Sequence, residues 1–165
     1  PFLVRYPEKL KPRVEDRLLL SSPDIMPTVL GLAGLSRQIP ETVQGTNFAP
    51  VISKEKNAPE LPSGVLYLRN LNGEKNADGK IISYFPEARG IKTERYTLAI
   101  SIDKRHNIKH IFFYDDIKDP YQMNNLSVTE NQEIFNDLCK QMGQLLKQIN
   151  DPWYKDRILS SKIPY

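Results

Sequence analysis

Apolar residues change their spacing near residue 62, from sparse runs broken by proline to short, closely set clusters ending in one long helical stripe. Phe2–Tyr6 is a mostly apolar run stopped by Pro7, the pattern of a buried strand. Such a strand needs sheet neighbours that nothing upstream supplies, so residues before Pro1 are expected. Ile25, Val29 and Leu32 then recur at helical spacing, with Met26, Leu30 and Ala33 alongside and Gly34 placed for a left-handed cap. The start of this helix has two readings. Ser22 as N-cap gives Pro23 the favoured first position but makes Pro27 lack an N–H that the helix needs. Asp24 as N-cap puts Pro27 in the first turn, where that N–H is unused, and is preferred.

Residues 37–62 are polar and proline-punctuated, with one short helical candidate at Phe48–Ser53, and read as a surface connection. Beyond them Val65–Leu68, Ile81–Phe85, Tyr96–Ile100 and Ile108–Tyr114 read as strands. Turn signals Asn72-Gly73, Asp78-Gly79 and His106-Asn107 separate them, and such close spacing favours an antiparallel sheet. The last long element is a helix over roughly Asn131–Ile149. Ile134, Leu138, Met142, Leu145 or Leu146, and Ile149 form its apolar stripe, suited to covering one sheet face. Asp151-Pro152 stops it, and the tail carries Trp153 and Tyr154.

Composition adds exclusions. The 165 residues hold 23 basic and 20 acidic side chains, interspersed, for a net charge of +3. That is ordinary solvated surface and argues against a nucleic-acid partner. No apolar run approaches the roughly 18 residues that span a bilayer. The single Cys139 rules out an internal disulfide, and its place beside the helix stripe suits a small buried hydrophobe. The chain opens at Pro1 without an initiator Met, so the expected context is a longer or processed protein.

Three constellations invite a chemical reading. Asp115-Asp116 follows an apolar run, and paired carboxylates at a strand end suit a hard cation. The turn-forming Asp119-Pro120 and Asn124-Asn125 that follow favour a structural role instead. His106 and His110 are spaced for a metal only on a helix, and here a turn enters a strand. Asn125-Leu126-Ser127 fits a glycosylation sequon, relevant only in a eukaryotic secretory route. No catalytic residue and no metal site is assigned.

Four stretches in chain order, and a strand pair between the third and fourth, resemble one family. Pro1-Phe2-Leu3-Val4-Arg5-Tyr6-Pro7 looks like a P-F/L-I/V-V/I-R-W/Y-P strand, and Ser22–Leu35 like S-x-D-I/L-x-P-T-I/V/L-L-x-L-A-G. Gln44-Gly45-Thr46-Asn47-Phe48-Ala49-Pro50 resembles D/Q-G-x-S-L/F-x-P-L/V, with Asn47 in place of Ser. Tyr114–Leu126 resembles the turn YDL-x-x-DP-x-E-x-x-NL, and Arg89–Thr97 a strand pair R-x-V/I-R/K-T-x-x-Y/W-K with Thr97 for Lys. These are motifs of the C-terminal portion of type I, formylglycine-dependent sulfatases of the alkaline-phosphatase superfamily.

The resemblance implies a fold: the last strand and helix of a large alkaline-phosphatase-like α/β domain, then a four-stranded antiparallel sheet packed by a long C-terminal helix. Residues 1–62 would end the α/β domain, and 63–165 would form the subdomain. It also implies a parent that hydrolyses sulfuric esters with a formylglycine nucleophile and a carboxylate-bound calcium, both upstream. The C/S-x-P-x-R nucleophile motif fails here, because Ser21-x-Pro23 is followed by Ile25, and Cys139 lacks its context. The segment alone is therefore expected to be inert, partnering the N-terminal α/β domain of its parent and shaping part of the pocket. Arg69 and Arg89 are the candidate substrate-binding residues, since a guanidinium fork suits a sulfate oxyanion of a sulfated carbohydrate or aryl sulfate ester. Salt bridges and strand edges are the simpler reading of both. Kinship points to an exported, periplasmic or extracellular, or a lysosomal setting. Two alternatives stand beside this reading: a phosphonate or phosphate monoester hydrolase of the same superfamily, and a non-catalytic sulfated-glycan-binding or assembly domain.

Overall fold

The computed structural model describes residues 2–15, 17–70, 76–80, 86–156 and 158. The chain divides into two compact units, Pro1–Ser63 and Gly64–Tyr165.

The first unit is built on helix α1 (Ser22–Leu32), a 3-10 turn at Ser36–Gln38 and the short helix α2 (Ala49–Ile52). Residues 2–6, expected as a strand, form no ladder and run as coil. A strand requires a partner to take its backbone hydrogen bonds, and no described residue supplies one. Helix α1 starts earlier than expected. Ser21 is the N-cap, and its N–H and hydroxyl both donate to Asp24 Oδ2, at 2.8 and 2.6 Å. Asp24 is therefore the back-reaching carboxylate of a capping arrangement rather than the cap itself. This start leaves Pro27 inside the helix, where it supplies no N–H to the Pro23 carbonyl. The chain returns at Gly45 to pack on that carbonyl, so closely that a Cβ would overlap it.

The buried side of α1 also differs from the apolar pattern. Asp24, Pro27, Thr28 and Leu32 are buried, whereas Ile25, Met26 and Val29 are 39%, 46% and 49% exposed. Hydrogen bonding explains the inversion. Asp24 Oδ1 accepts Thr46 N–H (2.8 Å), while the Thr28 hydroxyl accepts Phe48 N–H (3.0 Å) and donates to the Thr46 carbonyl (3.3 Å). Two polar side chains one turn apart thus clamp the 45–48 loop, and Asn47 Oδ1 accepts Ala49 N–H to start α2.

The second unit is a four-stranded antiparallel sheet in sequential order: β1 (Gly64–Arg69), β2 (Glu87–Thr93), β3 (Tyr96–Ile102) and β4 (Ile108–Asp115). The expected strand at 81–85 and the turn at 72–73 lie outside the described residues. The Arg89–Thr97 strand pair is present as β2 and β3. Directly paired residues share a sheet face. Leu66, Ile91, Leu98 and Phe113 lie in one such row, and with Ile100, Ile102 and Ile111 they make the core face. Helix α3 (Gln132–Gln148) packs Phe135, Leu138, Cys139, Met142 and Leu146 into the same core. The stripe is thus close to that expected, except that Ile149 becomes the half-exposed C-cap. Asp151 then N-caps a short helix α4 (Pro152–Lys155) by accepting Trp153 N–H at 2.9 Å, which drives Trp153 into the core.

Candidate functional site

The register separates the two candidate arginines. Arg69 pairs with Ala88, while Arg89 pairs with Leu68 and Ile100, so the two side chains leave on opposite faces of the sheet. Arg89 sits at the end of the core face and is 1% exposed. A lone guanidinium there would be costly, and the fold surrounds it with acceptors. Its Nε donates to Asp151 Oδ2 at 2.9 Å, and one terminal nitrogen lies 3.2 Å from Glu87 Oε1. The other terminal nitrogen donates to the Arg69 carbonyl (3.2 Å) and the Ala88 carbonyl (3.0 Å). The Trp153 ring lies 5.3 Å from the guanidinium carbon, and its indole N–H closes the circuit on Glu87 Oε1 at 2.7 Å. Sequence reasoning missed Asp151, Glu87 and Trp153 here, because 62 residues separate Arg89 from Asp151.

Arg69 ends β1 and is half-buried. Its Nε donates to the Pro86 carbonyl at 2.9 Å. Its terminal nitrogens meet no acceptor among the described residues.

The Asp115-Asp116 pair is spoken for by protein donors. Asp115 Oδ2 accepts from Arg95 at 3.1 and 2.8 Å. The Arg95 hydrogen bonds, working against burial, hold the Asp115 carboxyl below its usual range, with help from the Lys118 and Ile117 N–H groups. For Asp116, burial pushes the pKa up, but hydrogen bonds from Gln122, Thr97 and Lys92 together outweigh it, and the net shift is down. Asp119 accepts Asn124 N–H, while Asn125 Oδ1 and Leu126 N–H bind the two backbone groups of Phe113. The turn motif therefore seals the end of β4.

The remaining candidates stay apart. His106 occupies a left-handed turn position (φ 59°) closed by Asp103, and His110 is exposed on β4. Cys139 is fully buried in the core, and burial pushes its thiol up to about 12. No group of His, Cys, Asp or Glu among the described residues is arranged to hold a metal. Among the described residues, therefore, no donor set fits the calcium that the family resemblance places upstream.

An antiparallel four-stranded sheet packed by one long helix, preceded by the Asp24–Thr28 clamp and closed by the Asp115–Leu126 turn, is the architecture of a sulfatase C-terminal segment. Residues 1–150 match the family described as N-sulphoglucosamine sulphohydrolase, C-terminal, and the chain belongs to it. An endo-4-O-sulfatase of Bacteroides thetaiotaomicron is 57% identical over 100% of this chain, which covers 32% of that protein. A solved structure described with glycosaminoglycan metabolism by the same organism superposes with a TM-score of 0.83 at 56% identity, over 98% of this chain and 33% of that one. An ulvan-active sulfatase of Formosa agariphila is 26% identical over 92% of this chain and 27% of its own length. The chain thus spans about a third of the length of these relatives. All three comparisons favour a sulfatase over the phosphonate or phosphate hydrolase and the stand-alone binding domain.

Proposed function

We propose that this segment belongs to a sulfuric ester hydrolase acting on a sulfated polysaccharide, whose calcium and formylglycine lie in an upstream α/β domain. The observation that supports this reading is the 57% identity, without loss of coverage, to an endo-4-O-sulfatase. A 4-O-sulfated glycosaminoglycan chain is the substrate class this favours. When bound upstream, calcium and formylglycine would supply charge neutralisation and the attacking oxygen. No step of that chemistry runs through the residues described above. Their work is support and pocket wall: Arg69 offers its fork to an anionic substrate group, and Arg89 holds the strand end beside it. Kinship further favours an exported or lysosomal protein.

The test uses the full-length protein carrying this segment, after formylglycine formation. Calcium-dependent sulfate release from 4-O-sulfated oligosaccharides is expected, with weaker activity on aryl sulfates and none on phosphate diesters. The 165-residue chain alone should release no sulfate. Preferential hydrolysis of phosphate diesters would overturn the reading in favour of the sister hydrolase. Sulfated-oligosaccharide binding by the isolated chain, without turnover by the whole protein, would favour a binding domain.

A further inference from the structure

The geometry points to Arg89 as a positioning residue: a latch formed by Asp151, Glu87 and Trp153 fixes its guanidinium so that it holds the Arg69 backbone, and through it the Arg69 fork, in place for an anionic substrate group. This inference rests on the proposed role of Arg69.

Arg89 makes contacts of two kinds. Toward the C-terminal helix, Asp151 Oδ2 takes Nε and the Trp153 ring lies over the guanidinium, while Glu87 Oε1, at the start of β2, takes one terminal nitrogen. Toward the sheet, the remaining terminal nitrogen bridges the carbonyls of Arg69 and Ala88, which face each other across β1 and β2. The planar fork fixes these directions relative to one another, so an anchor on α4 sets the position of the last residue of β1. Arg69 Nε on the Pro86 carbonyl gives the side chain a second fixed point, at the residue before β2. A carbonyl at a strand end otherwise frays, because no further ladder bond follows it. Glu87 serves twice, receiving Arg89 and the Trp153 indole N–H on one oxygen. The Arg89–Asp151 pair is also shielded, with side chains 2% and 6% exposed, whereas water reaches the Glu87 arm, 30% exposed.

The deciding experiment is a double-mutant cycle in the full-length enzyme, read as KM for a 4-O-sulfated oligosaccharide. KM does not depend on how much enzyme is folded, whereas the apparent kcat does, so a merely structural defect lowers kcat and leaves KM alone. Arg69→Lys and Arg89→Lys are each expected to raise KM about tenfold, and the double variant no further than either single one. Trp153→Phe keeps an aromatic ring but loses the indole N–H, and is expected to raise KM about threefold in a protein that folds. Additive effects in the double variant, or an Arg89→Lys that changes only kcat, would overturn the positioning role while leaving Arg69 in its proposed place. An Arg69→Lys with unchanged KM would remove the proposed substrate contact itself, and the latch would then have nothing to position. Absence of sulfate release by the unmodified enzyme would instead sink the sulfatase proposal.

Discussion

Among the described residues of the second unit the sheet and α3 enclose one apolar core, whereas α1 of the first unit buries the polar Asp24 and Thr28 and leaves Ile25, Met26 and Val29 exposed, as are Phe2, Leu3 and Val4. In the second unit the sheet and α3 enclose Phe113, Leu98, Leu138, Met142 and Leu146 at 0–2% exposure, a sealed core driven by the hydrophobic effect. In the first, Asp24 and Thr28 organise the 45–48 loop by hydrogen bonds, each worth only about 1 kcal/mol net but expensive to break once buried. The first unit buries only a small apolar set, Leu32, Phe48 and Ala49 among it, so most of its order rests on those hydrogen bonds.

The sharpest way to break this contrast is to empty the core of the second unit. Phe113 is fully buried and packs its ring 6.2 Å from Tyr96 and 5.9 Å from Phe135. Phe113→Ala should destabilise by about 3–5 kcal/mol. Trp153 is the chain's one tryptophan and lies in the same core, so urea unfolding followed by its fluorescence reads this loss directly. An unmoved midpoint would mean that the sheet and helix do not share one core.

Next in size is the polar exception inside the apolar unit. Asp151→Ala leaves the Arg89 guanidinium with Glu87 as its remaining carboxylate and uncaps α4. The expected loss is about 3 kcal/mol by the same fluorescence measurement. A loss below about 1 kcal/mol, the range of exposed pairs, would show that water reaches the pair.

This exception also marks how far the sequence could be read. Helix α3 and strands β1, β3 and β4 were legible because their apolar residues repeat at the period of the element. Strand β2 escaped that test: Glu87-Ala-Arg-Gly-Ile-Lys-Thr puts Glu87, Arg89 and Ile91 on the core face, and only pairing with Asp151 and Trp153 makes two of those acceptable. The motif resemblance found the strand where periodicity did not. At α1 the periodicity pointed the wrong way, since Ile25 and Val29 face out and Asp24 and Thr28 face in. Their partners, the backbone of residues 46–48, lie about twenty positions away and leave no local signal. Of the candidate site, Arg69 and Arg89 could be named from the sequence as proposals, but not the register that sends them to opposite faces.

The polar clamp of the first unit should yield less than either change above. Thr28→Val preserves shape but strands the Phe48 N–H and the Thr46 carbonyl, for an expected loss of about 1–3 kcal/mol. Faster amide exchange at Thr46 and Phe48, with the Trp153 transition unchanged, is the expected readout. A shift of the Trp153 transition would mean the two units unfold together.

Acid tests the turn of the second unit. Asp115 and Asp116 have folded pKa values below their unfolded ones, so their stabilisation is complete above the unfolded value of about 4. It is lost as pH falls from there through the folded values. Arg95, the main partner of Asp115, has a side chain 46% exposed, so screening keeps this effect below that of Asp151. Thermal melts at descending pH should show a drop beginning near pH 4, reduced in Asp116→Asn. An equal drop in that variant would assign it to other carboxylates.

The smallest effect is expected to be the same in both units. Gly34 after α1 and Gly79 in its turn have φ of 81° and 76°, and a Cβ at either would meet nothing within 4 Å. Alanine there introduces only the backbone penalty of the left-handed region, about 1 kcal/mol. Because that penalty is set by one residue's own sterics, it cannot register whether the surrounding unit is held by a core or by a clamp. Equal losses for Gly34→Ala and Gly79→Ala, measured by urea titration of backbone circular dichroism, would confine the contrast between the units to side-chain interactions. A loss at Gly34 well above that at Gly79 would mean that α1 transmits backbone strain into the clamp, and that Asp24 and Thr28 hold the 45–48 loop only while the helix end is correctly closed.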